Sequence, residues 1–169
     1  MEGFGFHSKW IQWVKECITT VSLSILVNGS SSDSFNPQKG LRQGDLLSPF
    51  LFIIEAEILN VMFIRATQLG LLKGVQVETI CLTHLQFADD TIIFYQAKWV
   101  EIVNIRRILR CFEIISRLKV DFHNSLVGGV GIDNALLNEF AAALRCKVQK
   151  LPMKFLGLPL GANPRLRRI

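Results

Sequence analysis

The chain has 169 residues, of which 50% are hydrophobic and 20% charged; that excludes a disordered chain and suffices for one domain, or a large piece of one, with a core of ordinary size. Nineteen Lys and Arg against 14 Asp and Glu leave a net charge of +5 and a pI near 9.2, a mild basic balance compatible with a phosphate-rich partner but not requiring one. Cys17, Cys81, Cys111 and Cys146 are far apart with no C-x-x-C pair, which excludes a disulfide scaffold and predicts reduced, buried thiols with no disulfide partner; His7, His84 and His123 lack zinc-ligand spacing.

Met1 to Phe6 has no signal-peptide pattern, and nothing addresses the chain to a compartment; an intracellular setting, nuclear or cytoplasmic, is the expectation. Trp10, Ile11, Val14, Cys17 and Ile18 recur at helical spacing and predict an amphipathic helix over 8–18. Val21 to Val27 follows as a strand, then Asn28-Gly29, the strongest short hairpin signal. Residues 37–47, with Gly40 and Gly44, form a loop. Ser48 as N-cap and Pro49 at the first helical position open a helix that runs to Leu69 and stops at Gly70. That helix is very apolar, but Glu55, Glu57 and Asn60 interrupt it, so it reads as a buried helix rather than a membrane span.

Val75 to Phe87 and Thr91 to Tyr95 predict two strands, with Ala88-Asp89-Asp90 as the tight turn between them. Ile105, Ile108, Leu109, Phe112 and Ile115 mark one face of a helix over 100–118, with Arg106, Arg110, Glu113 and Arg117 off that face. Val120, Phe122 and Val127 are placed in short strands. Asp133 or Asn134 caps a last helix through Arg145, with Leu137, Phe140, Ala141 and Leu144 on its apolar face. Pro152, Gly157, Pro159 and Gly161 punctuate a final hairpin over 151–161. Strands and helices mix without an internal repeat, which indicates an α/β or α+β class.

Three segments bear on chemistry. In Phe87-Ala88-Asp89-Asp90, two neighbouring carboxylates stand between apolar strands. Adjacent side chains on a straight strand point to opposite faces, so the two acids converge only where the chain turns. Paired Asp oxygens are hard ligands suited to Mg²⁺, as in two-metal phosphoryl transfer. An Asp-rich β-turn alone looks the same, and two carboxylates are fewer than such a site normally uses. In Gly40-Leu41-Arg42-Gln43-Gly44-Asp45, two glycines before a helix let backbone N–H groups approach an anion. Leu151 to Gly161 is a β-turn with apolar flanks and by itself says little.

The combination is specific. Gly-Leu-Arg-Gln-Gly-Asp, a long helix, Phe-Ala-Asp-Asp, Ser116-Arg117-Leu118-Lys119 and then Phe155-Leu156-Gly157-Leu158-Pro159-Leu160-Gly161 occur in that order. This resembles the reverse transcriptase domain of plant-type non-LTR (LINE-like) retrotransposons. The resemblance implies an α+β fold that is part of a polymerase palm: a small antiparallel sheet carrying the Asp-Asp hairpin, packed on helices. It puts the palm core at about 20–125 and the start of the connection or thumb at about 126–169. It also implies RNA-templated DNA synthesis, with an RNA template, a DNA primer, deoxynucleoside triphosphates and Mg²⁺, and no membrane. Asp89 and Asp90 fall on the acidic pair as catalytic metal ligands, Asp89 the principal one. Arg42, Gln43 and Gly44 fall on the loop lining the nucleotide and template pocket, and Phe87 on the residue beneath the substrate end. Phe155, Leu156 and Gly157 fall on the hairpin that positions the primer.

Departures from the pattern shape the functional expectation. The family's first acidic motif precedes the Gly3-Phe4-Gly5-Phe6 segment and is absent here, and the fingers and most of the thumb are absent with it. Leu46, Arg117, Asp121 and Asn124 stand where the family usually has Pro, Gly, Asn and Lys. The expectation is a truncated reverse transcriptase, inactive alone for want of a third carboxylate. The alternatives are a non-catalytic nucleic-acid-binding module or a retroelement relic without function.

Overall fold

The computed structural model describes residues 1–37 and 44–161. The chain divides into two units, Met1–Pro49 and Phe50–Ile169. Each is taken by itself.

In the first unit, α1 spans Ser8–Thr19. His7 has an extended backbone and caps the helix, its Nδ1 accepting the Lys9 N–H at 3.2 Å. The Phe6 and Trp10 rings stack at 4.4 Å across this start. Val14 is the one buried residue of α1. The strand expected over Val21–Val27 shortens to β1 (Leu26–Val27), paired antiparallel with β2 (Ser30–Ser31), plus a single bridge between Leu23 and Phe35. The ladder breaks because the Ser32 hydroxyl, not a backbone carbonyl, accepts the Ile25 N–H at 2.9 Å. Asn28 and Gly29 form the expected turn, with φ of 51° and 82°.

Helix α2 spans Ser48–Gln68 and leads into the second unit. The helix begins at Ser48 itself. The turn before it is organised by Asp45, whose Oδ1 accepts the Leu47 N–H at 2.8 Å and whose carbonyl accepts the Ser48 N–H at 3.2 Å. The helix ends as expected at Gly70, with φ 69°. There the Leu71 N–H donates to the Ala66 carbonyl and the Gly70 N–H to that of Thr67, which satisfies carbonyls the helix leaves open. The helix expected to be buried is buried only in part. Leu51, Leu59, Phe63 and Ala66 are buried, whereas Phe50 and Ile53 are 65% and 62% exposed. Among the described residues no helix is long and apolar enough to cross a membrane.

The single strand expected over Val75–Phe87 is three. Strands β3 (Val75–Val77) and β4 (Ile80–Leu82) form one hairpin; β5 (His84–Phe87) pairs with β6 (Asp90–Ile93) in another. The first turn carries no glycine. Glu78 takes a left-handed φ of 53°, and its carbonyl accepts the Gln76 Nε2–H at 3.1 Å. Helix α3 (Trp99–Ser116) buries Ile102, Ile105, Ile108, Leu109 and Phe112. Ile115, expected on that face, is 61% exposed, because the buried stripe runs off the helix end after Phe112. Two polar groups are buried in the same face: Asn104 donates to the Leu71 carbonyl at 2.8 Å, and Glu101 accepts the Gln96 N–H at 3.0 Å.

Strand β7 (Leu126–Val127) runs parallel to β8 (Lys147–Val148), with α4 (Asn134–Leu144) as the crossover. Val120 and Phe122 are not in strands; Asp121 draws their segment into a turn by accepting the Asn124 N–H. Asp133 holds the N-cap position of α4, and Leu137, Phe140, Ala141 and Leu144 are all buried as expected. Strands β9 (Met153–Phe155) and β10 (Leu158–Leu160) form the final hairpin. One hydrophobic core joins α2, α3, α4, Leu72 and Val127, with Ile93 and Tyr95 against it. The class is α+β, with five two-stranded sheets among the described residues rather than one continuous sheet. The cysteines are free, but Cys17, Cys81 and Cys111 are exposed and Cys146 half-buried, which corrects the expectation of buried thiols.

Gly74 has φ +66°, and a Cβ built there would lie 2.5 Å from the Leu82 carbonyl oxygen. Gly74→Ala therefore combines left-handed strain with a backbone overlap, and a loss of about 2–4 kcal/mol is expected in urea unfolding. Phe50, Ile53, Phe87, Ile114 and Ile115 are all more than half exposed. Apolar surface of this kind favours association. Sedimentation velocity should show species larger than monomer as concentration rises; a monodisperse monomer that unfolds sharply would count against this.

Candidate active site

The acidic pair sits where the sequence puts it, at the tip of the β5–β6 hairpin. Phe87 pairs with Asp90, so Ala88 and Asp89 are the two turn residues and Asp90 is the first residue of β6. Phe87, Ala88, Asp89 and Asp90 are all exposed. The alternation of a pleated strand is broken at the turn, which frees the two adjacent carboxylates from pointing to opposite faces.

Ala88 has φ 50°. A residue with a Cβ in this region costs roughly 1–2 kcal/mol, and such strain concentrates at functional positions. The turn is held by the ladder on either side, His84↔Ile93, Leu85↔Ile92 and Gln86↔Thr91. One further bond, from the Phe94 N–H to the Thr83 carbonyl at 2.8 Å, extends it.

Between α2 and β5 lies an open groove of about 380 Å³. Phe52, Ile53 and Ala56 line its apolar side; Glu57, Asn60, His84 and Gln86 supply its polar groups. Three of these residues, together with Thr83, form a chain of hydrogen bonds. Thr83 Oγ1 lies 3.0 Å from His84 Nδ1, His84 Nε2 lies 3.0 Å from Asn60 Oδ1, and Asn60 Nδ2 donates to Glu57 Oε1 at 2.9 Å. The imidazole also stacks on the buried Phe63 ring, centroids 4.9 Å apart. Burial pushes the His84 pKa below the usual 6.5, against a smaller upward pull from the Glu57 carboxylate. The sequence reading registered Glu57 and Asn60 only as breaks in an apolar helix. Their spacing of three, which puts both on one helix face, was the available signal.

The other expected site residues are distributed as follows. Arg42 and Gln43 lie outside the described residues. Gly44 is exposed with φ 84°, one residue before the Asp45 turn, and belongs to the first unit, whereas the acidic pair belongs to the second. Phe155 is partly buried at the end of β9, and Leu156 and Gly157 form the exposed turn to β10 with φ of 49° and 80°. That hairpin is a separate sheet from β5–β6. Among the described residues no group of three or more His, Cys, Asp or Glu side chains is arranged to hold a metal ion. Asp89 and Asp90 nevertheless fit a hard divalent cation as donors, since Mg²⁺ is commonly held by one or two carboxylates with water and substrate phosphate completing the shell.

Replacing Ala88 by Gly removes the Cβ that opposes the left-handed turn, at the cost of a freer unfolded chain. Ala88→Gly should stabilise the fold by up to about 1 kcal/mol in denaturant titration; a destabilisation would show that the methyl group is packed.

A protein of Arabidopsis thaliana described as an uncharacterized mitochondrial protein is 41% identical over 80 residues, which is 46% of this chain and 63% of that relative. The chain thus spans less than two thirds of that relative's length. The family model described as reverse transcriptase (RNA-dependent DNA polymerase) matches residues 1–160. With nearly the whole chain matched, and with adjacent acids at the tip of a strained hairpin, the protein belongs to the reverse transcriptase family.

Proposed function

We propose that this chain is part of the palm of a retroelement RNA-directed DNA polymerase, of the plant non-LTR (LINE-like) type, with the Asp89-Asp90 turn as its metal-binding element. The observation that supports this reading is the turn itself: two adjacent, exposed carboxylates at a two-residue turn, inside a family match that covers residues 1–160.

In this reading Asp89 and Asp90 hold a divalent cation, Mg²⁺ by choice of hard oxygen donors. When bound, that ion would neutralise phosphate charge and activate the attacking oxygen. The chain's own residues do the rest. Gly44, with Arg42 and Gln43, offers backbone N–H groups and a guanidinium to the triphosphate and template. Phe87 shares a sheet face with Asp90 and lies beneath the substrate end. Phe155, Leu156 and Gly157 hold the primer. The partners are an RNA template, a DNA primer and deoxynucleoside triphosphates.

Two carboxylates are a thin donor set for two ions. A third acid on another strand would normally complete it, and no third His, Cys, Asp or Glu joins Asp89 and Asp90 among the described residues. In this reading the chain by itself is an incomplete catalyst. Purified protein should not extend a DNA primer on an RNA template with Mg²⁺ or Mn²⁺. Extension above background that vanishes in Asp89→Ala would overturn the inactivity and leave the assignment of the acids standing. Mn²⁺ should still broaden the amide resonances nearest Asp89 and Asp90, and Asp89→Ala should weaken that effect by about tenfold, the loss of one charged ligand. No selective broadening at the turn would count against the metal role.

A further inference from the structure

The groove beside the acidic turn contains a polar chain that the polymerase reading does not use. Its chemistry fixes every proton in it. The Glu57 carboxylate can only accept, so the Asn60 amide must turn its Nδ2 toward Glu57, as the 2.9 Å bond shows. That leaves Oδ1 facing His84 Nε2 at 3.0 Å. An amide oxygen also only accepts, so Nε2 carries the hydrogen. The neutral ring then has Nδ1 free to accept from the Thr83 hydroxyl at 3.0 Å. All the neutral ring's polar capacity is met in one tautomer.

His84 is the first residue of β5, and its ring also stacks on Phe63. Glu57, Asn60 and Phe63 follow one another at spacings of three and so form a ridge of α2 that faces this single side chain. From His84 the strand runs to Phe87 and directly into the Ala88-Asp89 turn.

We propose that His84 is a positioning residue for the acidic turn: its bond to Asn60, oriented by Glu57, pins β5 to α2 and sets where Asp89 and Asp90 are held. That the turn is functional rests on the polymerase reading; that it is pinned does not. Protonating His84 turns Nδ1 into a donor to the Thr83 hydroxyl and keeps the Nε2–H bond to Asn60, so what opposes the charge is the partial burial of the ring. Glu57 is the one charged group beside the ring on α2; on β6 the ring is opposed by Ile93.

The sign of the pH dependence follows. The folded pKa of His84 lies below its ordinary 6.5. The neutral ring's contribution is therefore complete above about pH 6.5 and declines as pH falls through the folded value. Each unit of lowering corresponds to up to about a tenfold loss of protection.

The test uses the full chain and nuclear magnetic resonance. In the wild-type protein at pH 7.5 the ¹⁵N shifts of His84 should report a neutral ring protonated at Nε2. Hydrogen exchange of the cross-strand amides of β5 and β6 should quicken between pH 7 and 5, after correction for intrinsic rates. His84→Gln retains an N–H donor toward Asn60 but cannot titrate. It should keep hairpin protection within about threefold of wild type and abolish the pH dependence. His84→Ala and Asn60→Ala should each lose about tenfold or more in protection at pH 7.5.

A ring protonated at Nδ1, undiminished protection in His84→Ala, or a pH dependence that persists in His84→Gln would each overturn the proposal. The tautomer reading needs no variant, so it stands even if a substitution prevents folding. Exchange and tautomer decide the pin. Mn²⁺ broadening at Asp89 and Asp90 separately decides the metal reading, so failure of one is distinguishable from failure of the other.

Discussion

Phe63 is the residue on which core and candidate site both depend. It is fully buried, and it belongs to the cluster in which α2 meets α3 and α4. Its ring also carries the imidazole of His84. Burial of one aromatic ring supplies on the order of 2–3 kcal/mol, and here it fixes a helix face and a strand end together. A hairpin of two four-residue strands is marginal in water by itself. In the proposed reading it becomes a fixed support for two carboxylates because its base is tied to a helix that the core holds and Ile93 of β6 packs on that core.

The groove and the turn have opposite requirements. Under the proposed function the two carboxylates must be open to a hydrated cation and phosphate, and Asp89 and Asp90 are exposed. Exposure deprives them of packing that could hold them still. The fold supplies precision from beneath: the ladder from Phe87↔Asp90 down to His84↔Ile93, then the bond to Asn60. Ala88 completes the arrangement, since its left-handed backbone is tolerated only where both flanking strands are held.

What the sequence made legible was periodic or local. The four buried positions of α4 follow from 3.6-residue spacing. The hairpins at Asn28-Gly29, Ala88-Asp89 and Leu156-Gly157 follow from turn residues between apolar runs. The turn at Glu78 was not legible, because a left-handed glutamate carries no compositional signal. Strand length over Val21–Val27 was overestimated because a serine hydroxyl can take a ladder position that apolar patterning cannot reveal. The His84–Asn60 bond was hidden for a different reason. Its partners are 24 residues apart and on different element types, so no window of periodicity contains both. On α2 the polar residues looked like interruptions, whereas they are the contact.

Register makes these local and distant features interdependent. Side chains of a strand alternate, so shifting β5 by one residue would exchange its two faces. In the observed register Phe87 and Asp90 are directly opposed, and so share a face, while His84, Leu85 and Gln86 border the groove and His84 meets Asn60. A slip by one would turn His84 away from Asn60, leave the Asn60 and Glu57 polar groups facing apolar Leu85, and carry Phe87 into the groove. The cost is set by the unmet hydrogen bonds at one end and by the two-residue turn at the other. The polar bond at the base of the hairpin thus does more than attach it: it selects the one register in which the two acids emerge at the tip.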